Sequence, residues 1–140
     1  MAQFKLTSLI KKIEDDLHKV RNEFLLNMAE DVVASSKPTV DTGAYITSHS
    51  IRTTRGAGRS RTSHNKPTGQ NPDAKAAEAL EQLKGDIAGL SDDQTQVYLT
   101  NNSPHANIVE YSHGYAVYSG VRSRAKYHLE KAINEVKGGR

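Results

Sequence analysis

The sequence predicts an α+β domain in which a long N-terminal helix, a middle helix and a C-terminal helix accompany a few short strands. Three stretches carry apolar residues at every third or fourth position, which is the period of an amphipathic helix. Shorter runs between them are rich in β-branched and aromatic residues, which favour strands. The chain has 140 residues, enough for one hydrophobic core but too few for two. We therefore treat residues 1–140 as a single domain.

The first helix has the most regular pattern. Its apolar residues are Leu6, Ile10, Ile13, Leu17, Val20, Phe24, Met28 and Val32. Charged side chains occupy most of the other positions, so this spacing predicts a long amphipathic helix over Leu6–Val32. Pro38 should end it, because a proline restricts the residue before it and cannot donate a backbone hydrogen bond.

Strand-like runs lie on either side of the middle helix. Thr39–Ile51 is rich in β-branched residues and predicts a turn, with Gly43 near its start, that leads into a strand. Val97–Thr100 predicts a second short strand, followed by turn-forming residues. Tyr115–Val121 alternates between two sets of side chains and is predicted to be extended. Ala106–Tyr111 fits neither period, so its structure is left open.

Two further helices follow from the same apolar spacing. The pattern predicts a helix over Asp73–Leu90, with Gly89 marking its end. It also predicts a C-terminal helix over Ala125–Val136, which the following glycines would end.

The segment from residue 52 to residue 72 differs from its surroundings in composition. It contains no acidic residue and five cations, namely Arg52, Arg55, Arg59, Arg61 and Lys66. Because it has too few apolar residues to offset the entropy of ordering, we expect a flexible basic arm over residues 52–72. Its cations are candidates for weak, sequence-independent contact with DNA or for contact with a protein neighbour. The arm has no aromatic residue to stack on a base, which favours a solvated loop or the protein neighbour.

Overall composition narrows the class of protein. The formal net charge is +3 and the pI is about 9.1, which is mildly basic, so any nucleic-acid binding would need local clustering of cations. The chain has no cysteine, which excludes disulfides and thiol chemistry and is typical of cytosolic assembly. It also has no apolar stretch long enough for a membrane span or a signal peptide. We expect no membrane contact.

A short motif, Asp41-Thr42-Gly43-Ala44, also occurs in aspartic proteases. In those enzymes two carboxylates share one proton to activate water, and the motif ends a buried strand in an almost entirely β domain. Here a long helix and a proline precede it. We therefore interpret Asp41, Thr42 and Gly43 as a structural turn in which the glycine supplies a permissive backbone.

Other catalytic patterns are missing from the sequence. No histidine lies three to five positions from another, as a metal site would favour, so all six are predicted to lie on the surface: His18, His49, His64, His105, His113 and His128. No serine has the glycine pattern of a nucleophile elbow, and no phosphate-binding glycine loop is present. The sequence predicts neither an enzyme nor a cofactor.

Two blocks of sequence, taken in order, resemble the neck or tail-completion proteins of tailed bacteriophages. The first block follows the long helix and comprises Pro38–Ala44, with its Val-Asp-Thr-Gly string, and Ser48–Ile51. The second comprises Gln96–Ala106, with a strand followed by Thr-Asn-Asn and a proline, and the Val-Glu-Tyr string Val109–Tyr111. The resemblance covers roughly residues 4–136, nearly the whole chain.

This resemblance implies a fold and a role. The fold would be a small antiparallel β-sheet packed by helices. The protein would be a structural component of the virion without catalytic activity or cofactor, assembled in the host cytoplasm as a homo-oligomeric ring at the head–tail junction. Its other partners would be the adjacent portal-side connector and tail-tube proteins. His105 and Ser112 depart from the family pattern, where tyrosine and glycine are usual.

The resemblance also implies roles for single residues. Asp41, Thr42 and Gly43 would form a structural turn. A loop that shapes the sheet edge would contain Asn101, Asn102 and Pro104, and Glu110 and Tyr111 would form a conformational or interface pair.

Contact with DNA is a further hypothesis. If DNA passes through the lumen of the ring, Arg52, Arg55, Arg59 and Arg61 are the candidates to face it, because such contact must be non-specific and weak. Two alternatives to the neck protein stay open: a minor tail component outside the neck, and a small non-specific DNA-binding protein that uses the basic arm.

Overall fold

The computed structural model describes residues 6–112 and 114–138, and the side chains of residues 14–110 and 114–138. Its helices and strands follow in the order α1 (Leu6–Ser36), β1 (His49–Arg52), α2 (Pro72–Ala88), β2 (Tyr98–Asn101), a π-helical turn (Ile108–Ser112), α3 (Val117–Ser123) and α4 (Ala125–Gly138). Helices dominate, and the one sheet found in these ranges has two strands. The α+β class predicted from the sequence is confirmed.

The three predicted helices are confirmed, with small changes in their ends. α1 runs one turn beyond Val32 and is followed by a single turn of 3-10 helix over Lys37–Thr39, which contains the expected proline. Asn71 caps the N-terminus of α2, where its side-chain oxygen accepts the N–H of Ala74 at 3.0 Å. Gly89 ends α2 as predicted.

The two strands form an antiparallel pair. Their register places Ser50 opposite Thr100 and Ile51 opposite Leu99. The second strand was predicted within one residue at each end, because a short β-prone run before turn signals favours extended backbone. For the first, only the end of Thr39–Ile51 is strand, since a 3-10 turn over Ile46–Ser48 precedes β1.

The prediction of an extended segment over Tyr115–Val121 is wrong. Residues from Val117 onwards form α3, in which Val117 and Val121 are both buried. These two valines are four positions apart, so they lie on the same face of a helix. The alternation of side chains over seven residues is typical of a strand. The helix is favoured because it buries Val117 and Val121 together against the core.

The hydrophobic core lies between α1, α2, α3 and the first strand. Its largest fully buried side chains include Val32, Ile46, Ile51, Leu83 and Val117. α4 packs mainly on α1, where Ala132 is fully buried. β1 itself is mostly buried, with β2 and α2 packed against it.

Among the described residues, no helix is both long and apolar enough to cross a membrane.

Candidate functional site

The first block of the resemblance forms a bend that holds one end of the basic arm. Asp41 accepts the N–H of Gly69 with its carboxylate and the N–H of Gln70 with its carbonyl oxygen, both at 2.9 Å. Thr42 Oγ1 accepts the N–H of Ala44 at 3.3 Å. Gly43 has φ +83°, and a Cβ there would lie 2.6 Å from the side chain of Lys75. Asp41, Thr42 and Gly43 thus lie in a tight turn. Only glycine fits position 43 without strain.

Asn101, in the second block, is half-buried and faces the first block. Its amide nitrogen donates to the carbonyl oxygen of Tyr45 at 2.8 Å and lies 3.1 Å from Nδ1 of His49. Its side-chain oxygen accepts the N–H of Ser103 at 2.9 Å. The residue predicted to shape a sheet-edge loop therefore joins the two blocks directly.

Asn102 and Pro104 face away from that core. The side chain of Asn102 donates to the carbonyl oxygen of Gly56 at 2.8 Å, and its own carbonyl oxygen accepts from Ser60 Oγ at 2.7 Å. Pro104 is exposed in the following turn. Asn102 holds the basic arm against the end of β2.

Glu110 caps α3. Its carboxylate accepts the N–H groups of Tyr118 and Ser119 at 3.0 and 2.8 Å, and the hydroxyl of Ser119 at 2.9 Å. Burial alone would raise the pKa of Glu110, but these hydrogen bonds outweigh it and hold the pKa below its usual value. Tyr111 belongs to the π-helical turn, and its side chain lies outside the described ones.

A cluster of buried and half-buried polar side chains lies beneath these two blocks. We call Ser36, His49, Asn101 and Tyr118 the His49 cluster. His49 is completely buried, so the prediction that every histidine lies on the surface is wrong for this one. Its ring meets the rings of Tyr45 and Tyr118 edge to face, at centroid distances of 5.1 and 5.5 Å. Both neighbouring rings shield it from water.

The hydrogen bonds of the cluster define the tautomer of His49. Ser36 Oγ donates to the carbonyl oxygen of Val32 at 2.6 Å, so its hydroxyl proton is already used. It must accept from Nε2 of His49, 2.8 Å away, which places the proton on Nε2. Nδ1 is then the acceptor for the hydroxyl of Tyr118 at 2.7 Å and for the amide of Asn101.

Every group in the His49 cluster is therefore paired while neutral. Burial lowers the pKa of His49 to about 3 and raises the pKa of Tyr118 well above its usual value. The cluster carries no charge near pH 7. It fixes α1, β1, β2 and α3 to one another at a single point.

A second polar cluster lies along the outer edge of β1, and we call its members, Arg52, Arg59 and Asp86, the Asp86 cluster. Arg59 donates twice to Asp86, at 2.8 and 3.0 Å, and Arg52 donates once at 2.7 Å. The N–H of Ile51 donates to the same carboxylate at 2.9 Å. Burial would raise the pKa of Asp86, but the bonds from Arg59, Ile51 and Arg52 outweigh it and lower the pKa.

The middle of the basic arm is anchored by this cluster. Arg59 also donates to the carbonyl oxygen of His49 at 2.9 Å, and its own N–H is accepted by Ser50 Oγ at 2.8 Å. A Cβ at Gly58, which has φ +133°, would lie 2.7 Å from Cβ of Ser50. The arm forms no helix or strand between Arg52 and α2, yet it packs against β1. The sequence predicted a flexible segment here. Hydrogen bonds to the backbone and ion pairs hold the arm in place of the apolar contacts that it lacks.

The five cations of the arm separate into two groups. Arg61 donates to Gln82 Oε1 at 2.7 Å and to the carbonyl oxygen of Thr47 at 3.2 Å. The prediction that Arg59 and Arg61 face DNA must therefore be corrected, because both guanidinium groups satisfy partners inside the fold.

The remaining cations are more accessible. Arg55 and Lys66 are exposed, and Arg52 is half-buried. Contact of these three with DNA or with a neighbour stays a prediction.

A groove of about 280 Å³ runs between the two blocks. The bend at Asp41 forms one wall, while His105 and Val109 belong to the other. Ile108 and Tyr115 line it too, and each is 43% exposed. The groove presents apolar surface beside the polar turn.

A third polar cluster joins α1 to α4. Asp31 accepts from Arg124 at 2.8 and 2.9 Å and from Nε2 of His128 at 2.6 Å. Burial would raise the pKa of Asp31, but these bonds and one from Ser35 lower it. The sequence does not indicate this cluster because Asp31 lies more than 90 residues from both Arg124 and His128.

The comparisons with known proteins leave the chain without an identified relative. No protein-family model matches it, and neither a curated protein nor a solved structure shows significant similarity to it. Within the described part of the chain, no group of three acidic, histidine or cysteine side chains is placed to hold a metal ion.

Proposed function

We propose that this chain is a structural protein of the neck of a tailed bacteriophage. It would form a ring that joins head and tail, as a head–tail connector or a tail terminator, and act through protein–protein contacts. In this proposal it has no catalytic role, and its partners are copies of itself, the portal-side connector and the tail-tube protein.

One observation supports the proposal most. The two blocks that carry the resemblance are 52 positions apart at His49 and Asn101, yet the amide nitrogen of Asn101 lies 3.1 Å from Nδ1 of His49. The two blocks also line the same groove. The resemblance rests on the sequences of the two blocks and does not require them to lie close together. Their contact in the fold is therefore additional support for the proposal.

The exposed apolar surface also supports a protein that assembles. Large apolar side chains that stay at least 40% exposed are Leu17, Ile108, Tyr115, Tyr127 and Leu129. A closed ring repeats one contact around its axis, so each subunit would bury part of this surface against two neighbours.

Contact with DNA in the lumen is a minor part of the proposal. Arg52, Arg55 and Lys66 remain partly or fully accessible, which is enough for a few weak phosphate contacts. The structure therefore gives less support to a dedicated DNA-binding protein than the sequence did.

Light scattering of the purified protein over a range of concentrations, with negative-stain images of any large species, tests the ring. We expect a closed ring. The Ile108→Glu variant, altered at the rim of the groove, should reduce ring yield, whereas His64→Glu on the exposed arm should not. Monomers at every concentration would contradict self-assembly.

A second experiment locates the protein in the particle. Gold labelling of a tagged copy in purified virions should mark the head–tail junction. Label elsewhere along the tail would favour a minor tail component outside the neck.

A further inference from the structure

The two strands differ in how their outer edges are covered. On the outer edge of β1 the N–H of Ile51 donates to Asp86 at 2.9 Å. The carbonyl oxygen of His49 accepts from Arg59 at 2.9 Å, and that of Ile51 accepts from Arg52 at 3.0 Å. Side chains of the Asp86 cluster therefore close this edge to a further strand.

These bonds also define which backbone groups of β2 point outwards. Because the N–H of Ile51 points away from β2, Ile51 and the opposite residue Leu99 exchange no hydrogen bonds. The bonds alternate along the ladder, so Ser50 is bonded to Thr100. The N–H and C=O groups of Leu99 and Asn101 consequently point to the outer side of β2. We call these four groups the β2 edge.

The described part of the chain leaves the β2 edge unpaired. No described residue forms a hydrogen bond with any of its four groups. All residues of β2 are half-buried, whereas the first three residues of β1 are buried. β1 packs against α2 as well as β2, but the principal packing partner of β2 is β1. The β2 edge can therefore accept another strand.

The sequence around the β2 edge lacks the features that prevent strand pairing. Natural sheets protect an open edge with charged side chains, with proline or with a bulge. The register of β2 with β1 is continuous, and Val97–Asn101 contains neither a charged residue nor a proline. Gln94–Val109 is also the longest run of the chain without Lys, Arg, Asp or Glu.

We propose that the β2 edge pairs with the β2 edge of a second copy of this chain, with the two strands antiparallel. Thr100 would lie at the centre, opposite Thr100 of the other copy, and Leu99 would lie opposite Asn101. In this register every group of the β2 edge bonds to a group of the other copy. One surface is used twice, so the contact is closed and two-fold symmetric.

The charges on either side of β2 favour this occupant and this direction. In the proposed register each residue of Gln94–Ala106 lies opposite another residue of the same uncharged range, so no like charges meet. A parallel pair would place Asp92 and Asp93 of both copies at the same end, which is unfavourable. A charged strand of another protein would lie against an edge that offers it no counter-ion.

This inference does not rest on the proposed neck function. Pairing at the β2 edge would join two subunits, or two rings, into one four-stranded sheet. A protein with another function could carry the same contact.

Hydrogen exchange of the full chain tests the pairing at single amides. As the protein concentration rises, the amides of Leu99 and Asn101 should become protected, because they gain acceptors in the second copy. The amide of Thr100 is the internal control, since it is bonded to β1 at every concentration. Exchange of Leu99 and Asn101 that does not depend on concentration would overturn the proposal and leave the edge to a strand of another protein.

Cysteine substitution tests the register, because the chain has no cysteine. Opposed residues of antiparallel strands have Cβ atoms about 4.5–5.5 Å apart, which is close to disulfide geometry. Thr100→Cys should therefore form a disulfide between two copies under mild oxidation. Thr95→Cys, which the register places opposite His105, should not. A disulfide in Thr95→Cys alone would overturn the proposal in favour of a parallel pair.

Light scattering of the full chain measures the strength of the contact. Leu99→Pro removes one outward N–H from each copy and leaves the bonds of Thr100 to β1 in place. It should raise the dissociation constant of the pair at least about tenfold, because the pair loses two hydrogen bonds. Leu99→Ala is the matched control, since it shortens the same side chain but keeps the N–H, and it should have a smaller effect.

Thermal melting checks that both Leu99 variants fold. A folded Leu99→Pro variant that pairs as tightly as Leu99→Ala would overturn the proposal. If Leu99→Pro does not fold, the exchange and disulfide measurements decide the question without it.

The two proposals fail in different ways. Rings that persist in Leu99→Pro, together with no disulfide in Thr100→Cys, would refute pairing at the β2 edge alone. Disulfide-linked pairs that never form rings would refute the self-assembling neck protein alone.

Discussion

The His49 cluster and the Asp86 cluster both contact the strand β1, but they stabilise their buried polar groups in different ways. His49 is neutral, and each ring nitrogen has a neutral partner. Asp86 is a charged carboxylate held by two arginines and one backbone N–H. A neutral network avoids the cost of burying charge, whereas an ion pair in the fold must offset that cost with its own bonds.

The two clusters should respond to acid in different pH ranges. Above pH 6.5 His49 is neutral in both the folded and the unfolded chain, so it adds no pH dependence. Between pH 6.5 and about 3 only the unfolded chain binds the proton, and stability falls by about 1.4 kcal/mol per pH unit. Asp86, whose pKa is lowered from 3.8, stabilises the fold above that value and loses this effect only at lower pH.

The largest expected effect is loss of the carboxylate in Asp86→Ala. The substitution leaves two arginines without their anion and the N–H of Ile51 without its acceptor, so we expect a loss of about 3 kcal/mol in the free energy of unfolding. Urea denaturation at pH 7 measures it. Glu81→Ala, an exposed carboxylate on the same helix, is the matched control and should cost little. Equal losses in both variants would mean that the Asp86 cluster does not anchor the arm.

Replacement of the histidine in His49→Gln should have the next largest effect, and a distinctive pH profile. Glutamine has a donor and an acceptor but not the rigid ring that fixes both nitrogens towards Ser36 and Tyr118, so we expect a loss of about 2 kcal/mol at pH 7. The variant lacks the titrating group, so its stability should stay flat from pH 6.5 to 5 while the parent chain loses about 2 kcal/mol. Urea midpoints across this range check both points. His64→Gln should keep the parent profile, and a parent profile in His49→Gln would contradict the assignment.

Removal of one hydroxyl in Tyr118→Phe should cost less, about 1 kcal/mol, because Nδ1 of His49 keeps the amide of Asn101 as a donor. Thermal or urea denaturation would show it. Tyr127→Phe is the control, since Tyr127 is 57% exposed. If both variants match the parent chain, the hydroxyl of Tyr118 contributes nothing to the His49 cluster.

The smallest effect is expected for Arg52→Gln, the outer arginine of the Asp86 cluster. Its side chain is 34% exposed, and Arg59 keeps both of its own bonds to Asp86, so the loss should be about 0.5 kcal/mol. Arg55→Gln should have no measurable effect. A loss in Arg52→Gln as large as that in Asp86→Ala would mean that the two arginines do not share the carboxylate as described.

Part of the candidate site was predictable from local signals. The turn at Asp41, Thr42 and Gly43 followed from residues that favour bends and from a glycine where a left-handed backbone is needed. The burial of His49 could not be predicted, because Ser50 is as buried as His49 and Ile51, so no alternation along the strand marks one face as the core. The hydrogen bond from Asn101 to Tyr45 could not be predicted either, since it joins residues far apart in sequence.

The sequence by itself determined the three long helices, the two strands and the turns, because these depend on periods of three to four or two residues and on proline and glycine at fixed places. Tertiary structure alone decided the conformation of α3, the burial of His49 and the use of Arg59 as an internal partner of Asp86. Each of these depends on which distant group lies opposite, and on whether water remains there to compete.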